Sequence, residues 1–214
     1  MTEMPRSPVH QPKRPRNAVA TREAILQSAL TAFANQGYDG VGVREIAQTA
    51  GVTAVLVNRY FGSKEGLFAA AVEAMFADSS LFAGDAAALA QRLAALVVTK
   101  TDKGGHPSAP LLLLLRSAPN PRAAEILRDG IARHCERPLK SLMRGPKRGE
   151  RAAIILALIV GLQLFHKVIG NQALTEANAT SLSGDLRSML ERLIDTSACT
   201  EPRPRRGRVE KRHH

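Results

Sequence analysis

From Ala152 to Phe165 the chain runs for 14 residues with Gln163 as the only polar side chain. A helix needs about 20 apolar residues to span a bilayer, and an ordinary strand is shorter than this run. Read with its flanks, Arg148 to Gly170 is a helix apolar nearly all round. Such a helix must be buried on every side, within its own subunit or by a second chain. The rest of the chain supports the same class, because aromatics are only 4% with no Trp while Ala and Leu recur in runs. That suits aliphatic helix packing better than a sheet. The expected fold is all-α, and 214 residues leave room for a small module joined to a larger one.

Helical periodicity places the elements. Ile25, Leu26, Ala29, Leu30 and Phe33 share one face of a helix that begins near Thr21 and stops at Gly37. A short second helix covers Val43 to Ala50, and Gly51 supplies the left-handed turn that closes it. Thr53 is placed to cap a third helix, roughly Ala54 to Tyr60, and Ser63 to cap a fourth. Beyond Asp78 follow helices at Asp85 to Thr99, Leu111 to Arg116, Arg122 to Met143, Arg148 to Gly170 and Leu182 to Ile194. A breaker-rich loop is expected at Lys103 to Pro110.

Charge is the second constraint. Thirty Lys and Arg stand against 19 Asp and Glu, for +11, which predicts attraction to polyanions. The excess is terminal: residues 1–17 carry +3 and residues 200–214 carry +4, in stretches too poor in apolar residues to offset their ordering entropy. Both are expected to be mobile basic arms. Cys135 and Cys199 are too few for a disulfide framework, which points to a reducing compartment, the cytoplasm by default. No signal peptide or membrane span is expected.

Val43 to Tyr60 has helix-turn-helix spacing. Ala47 is small where two helices cross, Gly51 sits in the turn, and Val52 and Val57 face the first helix. Only Val57 and Tyr60 need to face inward, which leaves Thr53, Ala54, Leu56, Asn58 and Arg59 for a major groove.

Gly37-Tyr38, Val43-Arg44-Glu45-Ile46-Ala47, Ala50-Gly51-Val52-Thr53, Tyr60-Phe61 and Ser63-Lys64-Glu65-Gly66-Leu67-Phe68 resemble, in this order, the DNA-binding domain of the TetR family of bacterial transcriptional regulators. The resemblance covers roughly residues 20–70. It implies a homodimeric, ligand-responsive regulator, mostly a repressor: a three-helix head, a fourth helix linking head to body, and a helical C-terminal domain. It places Arg44 and Lys64 beside DNA phosphates, Lys64 at a helix N-terminus where an anion is welcome. The chain departs from the family pattern in having Val41-Gly42 before the second helix, where Ser or Thr is common, and Val55 and Asn58 where Gly and an aromatic are usual. The operator therefore does not transfer from a relative. The implied partition is a basic arm at 1–17, a DNA-binding domain at 18–66, a helical regulatory and dimerisation domain at 67–198 and a basic tail at 199–214.

Individual residues keep more than one reading. Asn58 can read adenine through two hydrogen bonds, contact a phosphate, or face solvent. Thr53 is a cap first and a phosphate ligand second, and Tyr60 is expected to pack beneath the recognition helix with its hydroxyl turned to phosphate rather than to read a base. Lys13, Arg14 and Arg16 stand close enough to the first helix to reach phosphates or a minor groove. In the body, Leu93, Arg116, His134, Cys135, Gln163 and His166 are the candidate lining of a ligand cavity, against the alternative of satisfied core or interface residues. The run Arg137, Lys140, Arg144, Lys147, Arg148 and Arg151 reads as a solvated loop between helices or as a site for an acidic ligand. Ile154, Leu158, Leu162 and Phe165, with Leu182, Leu186, Met189 and Leu193, are the candidate dimer interface, two helices from each subunit forming a bundle.

No HExxH, paired CxxC, Gly-rich phosphate loop or Gly-x-Ser-x-Gly occurs, so no metal, cofactor or catalytic site is expected. The leading function is a repressor released from a palindromic double-stranded operator by a small molecule. An architectural DNA binder dominated by its basic tails competes with it, and an enzyme with an apolar helical cavity comes last.

Overall fold

The computed structural model describes residues 15–77, 79–82, 84–98, 108–175 and 179–195. The described residues are helical, with no strand and one isolated bridge, Arg144 to Asp195. The helices are α1 (Pro15–Gly40), α2 (Val43–Thr49), α3 (Ala54–Phe61), α4 (Lys64–Phe76), α5 (Ala86–Val98), α6 (Ala109–Ser117), α7 (Pro121–Ile131), α8 (Arg137–Leu142), α9 (Arg148–Gln163), α10 (Gln172–Thr175) and α11 (Ala179–Ile194).

Two boundaries differ from the periodicity. Pro15 to Asn17, assigned above to a mobile arm, form the first turn of α1. Proline is favoured there because its missing N–H has no partner to lose. At the other end Gly37, with φ 76° and ψ 179°, kinks the chain before one last turn. The expected single helix from Arg122 to Met143 carries a π turn, Ala132–Glu136, and another π turn, Leu164–Val168, prolongs α9.

The chain forms two compact units. Among the described residues, one holds 15–77, 79–80 and 108–135, the other 81–82, 84–98, 136–175 and 179–195. The first is built on Ile25, Phe33, Tyr38, Ile46, Val57, Leu67 and Phe68, with rings of Phe33 and Tyr38 each 5.0 Å from Phe68. Leu113 of α6 and Ala123 and Leu127 of α7 complete this core. Helices expected in a separate body thus pack with the head, because their apolar faces meet α1 and α4.

The second unit packs Leu89, Leu93, Ile155, Ile159, Leu186 and Leu190 around α5, α9 and α11. Its pin is the buried Arg151. The guanidinium donates to Pro146 O at 3.0 Å, Leu193 O at 2.8 Å and Arg144 O at 2.5 Å, so it closes the C-terminus of α11 against the loop before α9. Arg151 therefore leaves the basic run that the sequence shows as one block, while Arg144, Lys147 and Arg148 remain exposed. Arg148–Val168 is 21 residues with mean hydropathy 1.7, long and apolar enough by length and composition to cross a membrane. The core helix of a soluble protein has the same length and composition, and here Ala152, Ile155 and Ile159 are buried in the core of their own unit.

Candidate nucleic-acid interface

The first unit assembles the expected bihelical motif. Ile46 and Ala47 of α2 and Val57 of α3 are buried against one another and against α1. Gly51, at φ 67°, makes the turn, and Val52 N–H closes it on Ala47 O at 2.9 Å. Small and apolar residues at these points fix the crossing, and a short connection leaves α3 no other course.

Capping follows the sequence only in part. Gly42 leads α2 without a side-chain cap, as its residue type requires. Thr53 precedes α3 but its hydroxyl makes no cap bond; its carbonyl instead accepts from Leu56 and Val57 N–H. Ser63 does cap α4, its Oγ accepting from Gly66 N–H at 3.2 Å.

On α3 the exposed residues are Val55, Asn58 and Arg59, which stand at i, i+3 and i+4 and so share a face. Thr53 just before them is also exposed, whereas Ala54, Leu56 and Tyr60 are half-buried, Ala54 and Tyr60 against the head core. Val55, at 76% exposure, was not among the expected groove residues. Its i+3 and i+4 relation to Asn58 and Arg59 was the signal available in the sequence. Arg44 is exposed near the start of α2, on the outer side of the motif.

Lys64 begins α4, and its ammonium lies 4.6 Å from the centre of the Tyr38 ring. Tyr38 donates its phenol to Glu65 Oε1 at 3.0 Å, and burial first, then that carboxylate, pushes the phenol up to about 12. Glu65 is held below its ordinary value by its own backbone N–H first, then by the Ser63 and Tyr38 hydroxyls. Lys13 and Arg14 lie outside the described residues, and of Arg16 only the backbone in α1 is described.

The six candidate pocket residues divide between the units. Arg116, His134 and Cys135 belong to the first, Leu93, Gln163 and His166 to the second. Arg116 donates to Ala34 O at 2.7 Å and Asn35 O at 2.6 Å, and His134 Nε2 lies 2.6 Å from Glu73 Oε2. His166 Nδ1 lies 3.1 Å from Val97 O, and Leu93 and Gln163 are buried. Beside His166, burial lowers the Lys167 ammonium, whose Nζ donates to Leu96 O. Cys135 is half-buried and forms no disulfide. A surface hollow of about 410 Å³ in the first unit lies instead between Leu30, Ala34, Asn35, Ala74, Met75 and Ala109.

Of the candidate interface residues, Leu186 is 5% exposed and belongs to its own unit's core. It faces that core, so the Leu stripe of α11 turns inward. Leu158, Leu162, Leu182 and Leu193 pack partly buried against the same core, whereas Ile154, Phe165 and Met189 are about half exposed.

Comparison with known proteins divides the chain in sequence order, whereas the compact units interleave, so that residues 108–135 pack with the first unit but fall within the second family model. Residues 25–71 match the family model described as bacterial regulatory proteins, tetR family, and residues 87–194 match the tetracyclin repressor-like C-terminal domain. Among curated proteins, the HTH-type transcriptional regulator BetI of Rhizobium meliloti is 39% identical over 80 residues, 36% of this chain and 39% of that protein. The HTH-type transcriptional regulatory protein RaaS of Mycobacterium tuberculosis is 51% identical over 53 residues, 24% of each. The matched stretches thus span less than two fifths of either relative. Salmonella enterica GusR aligns with 85% of this chain and 97% of its own at a TM-score of 0.61 and 21% identity. A TetR-family regulator from Streptomyces coelicolor aligns with 86% and 99% at 0.56 and 24%. These two likenesses are of fold.

Proposed function

The chain belongs to the TetR family of bacterial regulatory proteins, and from that premise we propose that it is a sequence-specific transcriptional regulator binding operator DNA through α2, α3 and the start of α4. The observation that carries this reading is the face of α3: Val55, Asn58 and Arg59 stand exposed together on a helix whose opposite residue, Val57, is anchored in the head core. Asn58 and Arg59 offer donors to base edges, and Val55 offers a methyl surface suited to thymine. Arg44 and Lys64 flank the helix as phosphate contacts, which set register without reading sequence.

Residues 18–66 carry the DNA-binding role in this reading, and 67–198 dimerisation and sensing. Ile154, Phe165 and Met189 support a homodimer, since large apolar side chains left half exposed gain by burial against a second copy. A dimer would favour a palindromic operator. Repression relieved by a small molecule fits the family, with the ligand binding the DNA-incompetent arrangement better. The protein would act in the cytoplasm, and its role would be regulatory rather than catalytic.

A second reading, an architectural binder dominated by its termini, is favoured by one feature: residues 18–66 carry Arg22, Arg44, Arg59 and Lys64 against Glu23, Asp39, Glu45 and Glu65, a net charge of zero. Footprinting on DNA upstream of the protein's own gene, followed by titration against a random-sequence duplex over a range of salt, separates the two. A protected site and a specificity ratio far above one support the regulator; counterion release without such a ratio supports the architectural binder.

A further inference from the structure

The C-terminal end of α6 clasps the C-terminal end of α1. Arg116 donates through one guanidinium nitrogen to Ala34 O and Asn35 O, two of the last carbonyls before the kink. Ser117, fully buried, accepts the Tyr38 N–H at 3.0 Å, and Asn120 Nδ2 donates to both carboxylate oxygens of Asp39 at 2.9 and 3.1 Å. The approach is so close that a Cβ on Gly37 would lie 2.4 Å from Arg116 O. These bonds hold the segment 34–39 on both sides of the positive φ at Gly37. Unheld, a kink of this kind has several backbone geometries open to it.

Tyr38, the residue after the kink, is where this segment meets the DNA-facing surface. Its ring carries the Lys64 ammonium at 4.6 Å, and its hydroxyl holds Glu65 Oε1. The first interaction draws a flexible four-carbon side chain into one position, as cation–π attraction does. The second keeps the one carboxylate in the first turn of α4 directed at Tyr38.

We propose that Arg116, Ser117 and Asn120 are positioning residues for DNA binding, fixing the 34–39 segment so that the Tyr38 ring presents Lys64 to a phosphate. A lysine already placed loses less ordering entropy on binding. This rests on the DNA-binding reading above, and the test keeps the two apart.

The probes are a random-sequence duplex, sufficient because phosphate binding is sequence-independent, and the ring-current shift of the Lys64 ε-methylene protons in the free protein. Lys64→Ala sets the reference loss. Arg116→Gln and Ser117→Ala are each expected to weaken binding about tenfold, to flatten the slope of log K against log salt by roughly 0.9, the share of a single neutralised phosphate, and to move the Lys64 protons toward random-coil shifts. Combined with Lys64→Ala they should weaken binding no further, and Ser117→Thr should restore the wild-type values. Full additivity with Lys64→Ala, or unchanged Lys64 shifts in folded variants, overturns the clasp. If Arg116→Gln fails to fold, Ser117→Ala with its Thr rescue decides alone. A wild-type protein that shows the ring-current shift yet binds neither random nor upstream DNA overturns the DNA-binding reading and leaves the clasp standing as structure only.

Discussion

The Tyr38 hydroxyl donates to Glu65 Oε1 at 3.0 Å and so joins the last turn of α1 to the first turn of α4. Two titrations are coupled to it. The Tyr38 phenol is raised to about 12, so its contribution is present below the ordinary value of 10.0 and is lost as pH rises through the folded value. Glu65 is lowered, so its contribution is present above 4.5 and is lost as pH falls. Tyr38→Phe is therefore expected to be less stable than wild type between these limits, with the difference narrowing at both ends. Urea unfolding from below pH 4.5 to above pH 10 measures it, and a difference that stays constant over that wider span would show the bond uncoupled from both groups.

Recognition by α3 divides into base and backbone roles. Asn58→Ala is expected to cost about 1–3 kcal/mol on the footprinted operator and little on a mutated one, whereas Arg44→Ala should weaken both alike. Val55→Ala should lower the specific-to-random ratio without changing the melting temperature, since its side chain stands in solvent. A uniform loss for Asn58→Ala would move that residue to the phosphates.

Gly37 has no substitute. Its φ is 76° and a Cβ there would press on backbone, which cannot swing aside as a side chain can. Gly37→Ala should destabilise the first unit by on the order of 3 kcal/mol, read as a lower midpoint in denaturant, with no comparable effect from Gly42→Ala, where a Cβ meets open space.

In the second unit, Arg151→Met should cost about 2–4 kcal/mol, because the carbonyls of Arg144, Pro146 and Leu193 lose their donor in a buried setting. Its apolar stem packs either way, so Arg151→Lys, which cannot fork to three carbonyls, should recover only part of the loss.

Ile154→Glu and Met189→Glu, both at exposed apolar positions, should yield a folded monomer by light scattering if those residues form the interface. Leu186→Glu should instead unfold the second unit, because it buries a charge among α5, α9 and α11. Folded dimers in both of the first two variants would place the interface elsewhere.

Local signals in the sequence sufficed for the helices, the turn at Gly51, the cap at Ser63 and the inward Val57, since each depends on residues within a turn or two of one another. The resemblance of residues 20–70 to the TetR family likewise rested on contiguous motifs, and the family model over residues 25–71 agrees with it. Periodicity reports that a helix has an apolar face but not what covers it. Only the tertiary structure decided that α6 and α7 complete the core of the head, that Leu186 turns inward while Met189 does not, and that Arg116 binds the end of α1. Its partners lie 81 and 82 residues away. Bonds at that separation are chosen by which helices meet in space, and a side chain with five donors fits a pocket, a phosphate or a carbonyl equally well until the fold supplies one of them.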